Sequence, residues 1–545
     1  MRSSLRLVIA TLAVVVPSIT LSDPGPQARA ETDDSRATPG DGDDEAASPA
    51  SPAAAPAAAP PRGATLEQRD RWLADHIAGL IAERSELAGT RIGIHVVDAV
   101  TSRVLYGRDS AAPYSVASAA KIITTAAALA LLGPDFRART TVLAEQVDAG
   151  GVVPGDLYLR GRADPGLGRA DLDRLADDLA LAGITEVRGR LVIDDTYFDD
   201  VVVPPHFDEQ PDENASFRAP VSALSPSFNA FAVVVRPATS GRGPAVVTVD
   251  PPGDHAVIEK NDLITQPRGR NRIRMQSTVE DGTASVILSG QLRADVGLRR
   301  FRQRVPDPLI YVGSLFRDAL AARRIAIRGR RIVRGQTPEE ATALAGIESL
   351  SMAILVRGLG KHSNNFVAEV LLKTIGAETR AEPGPATWQD GLDAVQTFLH
   401  ERIGLERGSY RYGNGSGLFD ATELSPDQLV GVLSASYRDP RYGPELMASL
   451  AIAGVDGTLR RRMEDGPAHG VVRAKTGTLA RVSALAGYAT SAGKPPLAFA
   501  VLVNDLPDEG RAGRHAKRQA RDLQDRVAEA LVLYLNADRD LAASP

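Results

Sequence analysis

Ser118-Ala119-Ala120-Lys121 lies near the start of an alanine-rich stretch that runs from Tyr114 to Leu132 and is closed by Gly133-Pro134. The stretch predicts a helix, and its small side chains let neighbours approach closely, as suits a buried central helix. Residues three apart on a helix share a face, so Ser118 and Lys121 are expected side by side. A serine hydroxyl is a poor nucleophile unless a nearby base takes its proton. A lysine serves as that base when burial or a second cation lowers its pKa. The helix N-terminus also aims N–H groups at developing negative charge. Alone, the pattern is weak. Ser491-Ala-Gly-Lys494 has the same spacing in a Gly-Lys-Pro-Pro turn with no helix.

Two more motifs lie downstream. Ser363-Asn364-Asn365 falls between helical stretches within Met352–Ile375. There a hydroxyl can relay a proton and an amide can hold a substrate carbonyl, although helix caps use the same residue types. Ser227-Phe228-Asn229 repeats the spacing before a strand-like run, Ala230–Val235. Lys475-Thr476-Gly477-Thr478 ends the strand-like run Gly470–Lys475. On a sheet edge Gly477 permits close backbone approach by a ligand. Lys475 brings a cation, and Thr476 and Thr478 bring hydroxyls suited to a carboxylate. A lysine guarding an exposed edge strand is the plainer alternative. In this order, on helix, loop and strand, the three motifs together say more than any one of them.

Outward from these motifs, Ala64–Leu87 repeats apolar residues at helical spacing, and Arg91–Val97 with Val104–Tyr106 reads as a hairpin. From about Thr140 to Ile347 short β-rich runs recur between Gly, Pro and Asp turns, among them Leu157–Leu159, Gly189–Ile193, Ala245–Val249 and Ala284–Leu288. Helical pattern returns at Met352–Ile375 and Trp388–Arg402; strand-like runs follow at Val482–Tyr488 and Leu497–Val503, then a helix at Gly513–Leu535. The reading is a helix–sheet–helix body in two parts, 64–139 and 348–545, split by a β-rich insertion, 140–347.

Arg2 and Arg6, an apolar run Leu7–Val16 and Ala28-Arg29-Ala30 read as a secretory signal peptide over 1–30. The run is about half the roughly 20 residues a spanning helix needs, so no membrane anchor is expected after cleavage. Residues 31–63 form an acidic, Ala/Pro-rich linker with too little apolar surface for a core. An exported protein, placed in the periplasm or cell envelope, follows. The chain has no cysteine, which excludes disulfides, thiolate metal sites and a cysteine nucleophile. Net charge is −5, and the acids of the linker account for it, leaving a nearly neutral body with no bulk electrostatic case for nucleic acid. The eight histidines form no H-E-x-x-H pair, and His206–Glu213 reads as a solvated acidic loop, so neither metal nor cofactor is expected. His362 beside Ser363 is a poor base candidate, because adjacent helical residues do not face each other. Asn414 breaks the G-x-S-x-G elbow around Ser416.

The S-x-x-K, S-x-N, K-T-G set resembles that of the penicillin-recognising serine enzymes. A gap of more than two hundred residues between the first two motifs resembles the low-molecular-mass class C penicillin-binding proteins, of the penicillin-binding protein 4 type. Gly155–Leu159 with Asp164-Pro165, Gly189–Asp194, Ala219–Leu224 with Asn229, and Asn414–Leu418 also look like stretches of that family. The resemblance implies an α+β fold, a transpeptidase-like domain with helices on both faces of an antiparallel sheet, split by the large β-rich insertion. It implies a serine D-alanyl-D-alanine carboxypeptidase, and a DD-endopeptidase, that acts on peptidoglycan stem peptides and is acylated by β-lactams. Ser118 would be the nucleophile, Lys121 its base, and Ser363 the proton relay to the leaving D-alanine. Asn365 would orient the acyl chain, Lys475, Thr476, Gly477 and Thr478 would form the carboxylate site, and the N–H groups of Ser118 and Thr478 the oxyanion hole. Asp194 matches a family acid near the substrate's diamino-acid end, although Asp195 leaves the register ambiguous. Where the family reads D-G-S-G-L-S-R, this chain reads Asn414-Gly-Ser-Gly-Leu-Phe419-Asp420, replacing an expected arginine with an acid. A β-lactamase or esterase of the same fold, or a silent cell-wall scaffold, are the alternatives.

Overall fold

The computed structural model describes residues 59–61, 63–207, 214–508 and 510–537. The expected signal peptide, nearly all of the linker and the acidic run Asp208–Glu213 lie outside the described residues.

The body is built on a six-stranded sheet. Its order is Val104–Arg108, Arg91–Asp98, Leu497–Asn504, Val482–Ala489, Val472–Leu479 and Ala451–Ile452, paired antiparallel throughout. The two central strands are buried along their whole length, as expected for a sheet covered on both faces. Alternation still decides what each face meets. Leu485, Val501 and Val503 join Leu73, Ile77, Leu523 and Leu531 from the helices Leu66–Ala82 and Arg511–Asn536. Ala484, Ala486, Ala498 and Ala500 face the other way, toward Ile123, Ala126, Leu372 and Leu433. Alanines on that face let the helix Lys121–Leu132 come close, and its residues Lys121–Leu129 are all buried. A leucine buried to this extent contributes on the order of 2 kcal/mol.

The first helix starts where Thr65 caps it, with Gln68 reaching back to close a capping box. The helix predicted from Tyr114 begins later. Tyr114–Ser115 is a short strand paired with Thr422–Leu424, Ala117 turns the chain at φ 46, a 3-10 turn covers Ala117–Ala120, and the α-helix starts at Lys121. Local alanine propensity yields here to pairing with a distant strand.

The chain leaves the body along Arg139–Ala144 and returns along Thr342–Glu348, two antiparallel strands with Arg139 opposite Glu348 and ion-paired at 2.9 Å. The segment between them thus starts and ends at one place, and its length costs the body little closure entropy. It carries most of a five-stranded sheet, a four-stranded sheet and two three-stranded sheets. It also contains two helices absent from the sequence reading, Arg169–Leu181 and Pro308–Ala322, whose Leu172, Leu175 and Phe316 pack with Leu157 and Ile193 in a separate core.

Candidate active site

Four chain segments meet at two lysines. Lys121 Nζ donates to Ser118 Oγ at 2.9 Å, to Asn365 Oδ1 at 2.8 Å and to the carbonyl of Ser416 at 2.8 Å. Lys475 Nζ donates to Ser363 Oγ at 2.7 Å and to its neighbour's carbonyl, Thr476 O, at 2.8 Å. Both lysines are 1% exposed, whereas Ser118 and Ser363 are half-buried and reachable. Ser363 ends the helix Met352–His362 in the left-handed region, φ 57, and Asn364 caps the helix Asn365–Thr379 through Val367 N. This break between helices turns Ser363 toward Lys475 and Asn365 toward Lys121.

Lys475 does not end its strand, as the sequence suggested, but lies inside Val472–Leu479. The neighbouring strand pairs only with Arg473 and Ala474, so Lys475–Thr478 forms an open edge. Gly477 passes directly over the turn that leads into Ser118. A Cβ there would lie 2.6 Å from Val116 O and 3.1 Å from the Ala117 Cβ. Thr476 Oγ1 is held by Thr458 at 2.9 Å, and Thr478 is exposed.

Burial pulls the Lys121 pKa down to about 7, against the opposing charge of Glu369. Lys475 is pushed well below its ordinary value by burial and then by the charge of Lys121. A lysine near 7 can accept a proton at neutral pH, as a general base must.

Glu369 went unnoticed in the sequence. Its fully buried carboxylate accepts from Gly415 N at 3.0 Å and Ser416 N at 2.8 Å. Burial raises its pKa, and the hydrogen bonds from Ser416 and Gly415 oppose the rise. Thr124 donates to Gly415 O at 2.6 Å and meets Tyr412 Oη at 2.7 Å. Asn414 Oδ1 accepts from Gly417 N at 2.8 Å. The loop Asn414–Gly417 is therefore clamped from below, and it presents the Ser416 carbonyl to Lys121. The available signal was an acid inside the otherwise apolar run Phe366–Leu372. Ser416 itself is fully buried, its Oγ accepting from Leu418 N at 3.3 Å, so it is no exposed elbow.

Other candidates fall elsewhere. Asp194 is buried, and both oxygens are engaged: Oδ1 accepts from Thr196 Oγ1 at 2.6 Å and Oδ2 from Thr337 N at 2.8 Å. None of these bonds joins it to the lysine cluster. Its neighbour Asp195 pairs with Arg334 at 2.5 Å and accepts from Ser222 at 3.2 Å. Asp420 is exposed at φ 49 and accepts from Ser115 Oγ at 2.6 Å, three residues before the nucleophile. The two look-alike motifs are structural. Asn229 is fully buried, donating to Pro220 O and Ser225 Oγ, and Ser491 donates to Asn536 at 2.6 Å. His362 is exposed.

A serine and a lysine in one segment, a serine and an amide in a second, and a lysine on a sheet edge in a third define an acyl-transfer serine enzyme. Residues 73–527 match the D-Ala-D-Ala carboxypeptidase 3 (S13) family. The chain belongs to that family. It is 33% identical over 469 residues to a D-alanyl-D-alanine carboxypeptidase from an Actinomadura strain, covering 83% of each. In fold it is similar to penicillin binding protein 4 (dacB) from Haemophilus influenzae, with a TM-score of 0.70 at 23% identity, covering 83% of this chain and 99% of that one. The same protein complexed with a β-lactam gives a TM-score of 0.66 at 22% identity over 83% of this chain and 99% of that one. Among the described residues no helix is long and apolar enough to cross a membrane.

Proposed function

We propose that the protein is an exported serine D-alanyl-D-alanine carboxypeptidase, and a DD-endopeptidase, of peptidoglycan stem peptides. Its nucleophile is Ser118. The carrying observation is the hydrogen-bonded set Ser118–Lys121–Asn365 beside Ser363–Lys475.

In this reading the substrate's terminal carboxylate seats against Lys475, Thr476 and Thr478. Neutral Lys121 takes the Ser118 proton as Oγ attacks the carbonyl of the penultimate D-alanine. The N–H groups of Ser118 and Thr478 stabilise the oxyanion. Ser363, between Lys475 and the leaving nitrogen, passes a proton to it and is resupplied with the one Lys121 took, which leaves Lys121 neutral again. The C–N bond breaks, D-alanine departs and an acyl-Ser118 ester remains. Water activated by Lys121 then hydrolyses the ester and restores the Ser118 proton. Asn365 holds the acyl chain while it also steadies Lys121. A cross-linked peptide fits the same scheme when the amine released belongs to a neighbouring stem. A β-lactam enters by the same attack, but its opened ring retains the leaving nitrogen, and the adduct persists.

Glu369 acts here as a positioning residue. It fixes the Gly415–Ser416 backbone and opposes the loss of the Lys121 proton through its charge. Asp420, beside the nucleophile turn, sets a preference on the donor peptide different from that of an arginine there.

The test is the intact mass of the purified protein after benzylpenicillin, with peptide mapping and a Ser118→Ala control. A stable adduct on Ser118 that the control lacks is expected. Penicillin consumed without an adduct would make the enzyme a β-lactamase instead. No adduct with penicillin untouched would leave a silent scaffold.

A further inference from the structure

One sheet of the inserted segment carries a group of arginines that no acid among the described residues pairs. In the four-stranded sheet Gly243–Pro244, Ala256–Gln266, Thr283–Arg293 and Arg272–Glu280, the connection at Pro267–Asn271 carries Arg268 and Arg270, and the strand it enters carries Arg272 and Arg274. All four are exposed, as is Arg242. Strand alternation puts Arg272 and Arg274 on one face, with Ile273 partly covered and Met275 buried on the other.

Register aligns the arginines in a row across the sheet, from one edge strand to the other, about 14 Å. Arg272 stands opposite Gln291, which stands opposite Ile264, and Ile264 pairs with Pro244, two residues from Arg242. Arg242 and Arg268 flank a concavity of about 700 Å³ that Ile264 and Gln266 also line. The nearby acids are committed elsewhere: Asp262 to Lys260, Asp295 to Arg293 and Asp250 to Arg300. Among the described residues no ion pair takes Arg242, Arg268, Arg270, Arg272 or Arg274.

Five cations gathered without counter-charges repel one another, and an anionic partner relieves that repulsion. The guanidinium fork matches a phosphate bidentately, better than an ammonium does. Arg272 and Arg274 are about 7 Å apart along the strand, and with the loop arginines they form a track rather than a point. A track suits a chain of repeated charges. A bilayer surface would call for large apolar side chains to sink beside the cations, and of these only Ile264, 39% exposed, with Pro267 lines the concavity between them.

We propose that this face, Arg242 with Arg268, Arg270, Arg272 and Arg274, binds a phosphodiester polymer of the cell envelope and tethers the enzyme to the wall it works on. The face stands apart from the lysine cluster, so the proposal survives or fails independently of the assigned chemistry; only the choice of an envelope polymer rests on the export reading.

The test uses the full chain with long-chain inorganic polyphosphate as probe at about 0.15 M salt. The variant Arg268→Ala/Arg270→Ala/Arg272→Ala/Arg274→Ala should lose about tenfold or more in affinity. A control removing four cations from the last helix, Arg511→Ala/Arg514→Ala/Lys517→Ala/Arg518→Ala, should stay within about twofold. Melting temperature reports folding of both. Should the quadruple variant fail to fold, Arg268→Ala/Arg270→Ala alters only the connecting loop and should still weaken binding severalfold. Absence of polyphosphate binding, equal loss in the control, or tighter binding to phosphatidylglycerol vesicles than to polyphosphate would each overturn the proposal.

Discussion

Lys121 and Lys475 are equally buried, and each donates to a serine hydroxyl and a backbone carbonyl, yet their surroundings pull in opposite senses. Behind Lys121 lies Glu369, whose charge opposes burial and leaves the amine at about 7. Beside Lys475 the next largest influence is Lys121 itself, which adds to the effect of burial. Two ammonium groups in one dry site titrate as a pair. An anionic substrate end beside Lys475 favours its charged form, and a charged Lys475 repels the proton from Lys121. In the proposed mechanism the same residue type thus serves as base in one position and as anchor in the other, and arrival of the anchor's ligand primes the base.

Variants can break or sharpen this contrast. Ser118→Ala should reduce acylation by benzylpenicillin by about 10⁴-fold or more, read by intact mass. Lys121→Met keeps bulk and removes the base. It should slow acylation by about 10²–10⁴-fold for every acyl donor, including a thioester without a carboxylate. Lys475→Met should cost about 10²-fold with carboxylate-bearing donors and much less with that neutral thioester. Equal losses on both donors would erase the contrast. In the unmodified protein, acylation should rise with pH through a midpoint near 7, because only the neutral amine accepts the serine proton. Glu369→Gln removes a charge that raises the Lys121 pKa, so stopped-flow acylation should show the midpoint moving to lower pH. Its amide also leaves one of two backbone donors poorly paired, costing about 1–3 kcal/mol in unfolding experiments. An unmoved midpoint would leave Glu369 a structural part only. Smallest of all, Asp420→Ala should alter the preference between stem peptides with acidic and basic ends by a few-fold, measured as a ratio of kcat/KM.

Much of this contrast was legible before any coordinates, and the exceptions have physical causes. The motifs stood out because each places reactive groups within a few residues. The central strands stood out because burial on both faces writes continuous apolar runs. Tyr114 was misplaced in a helix because an alanine tract does not announce the left-handed turn at Ala117. The helix Pro426–Arg438 was missed although Ser425, Pro426 and Gln428 carry its capping signals. Glu369 shows in the sequence as an acid in an apolar run, but its role does not: its partners are backbone groups 46 and 47 residues away, and no residue code reveals a backbone donor. Asp194 is reached in the same way: its carboxylate accepts from the backbone of Thr337, 143 residues on, a contact that no local match reveals.

Gly477 has a consequence for length. With 2.6 Å between the place of its missing Cβ and Val116 O, there is no slack between the strand of Lys475 and the turn that carries Ser118. Anchor and blade are mounted on one ruler. In the proposed mechanism the bond cut is then fixed by counting from a negative end, one residue inward. A peptide extended by a residue overshoots the mark, and one with an amidated end has nothing to butt against. An alanine at 477 would first spoil the scale, leaving the blade sharp but out of register.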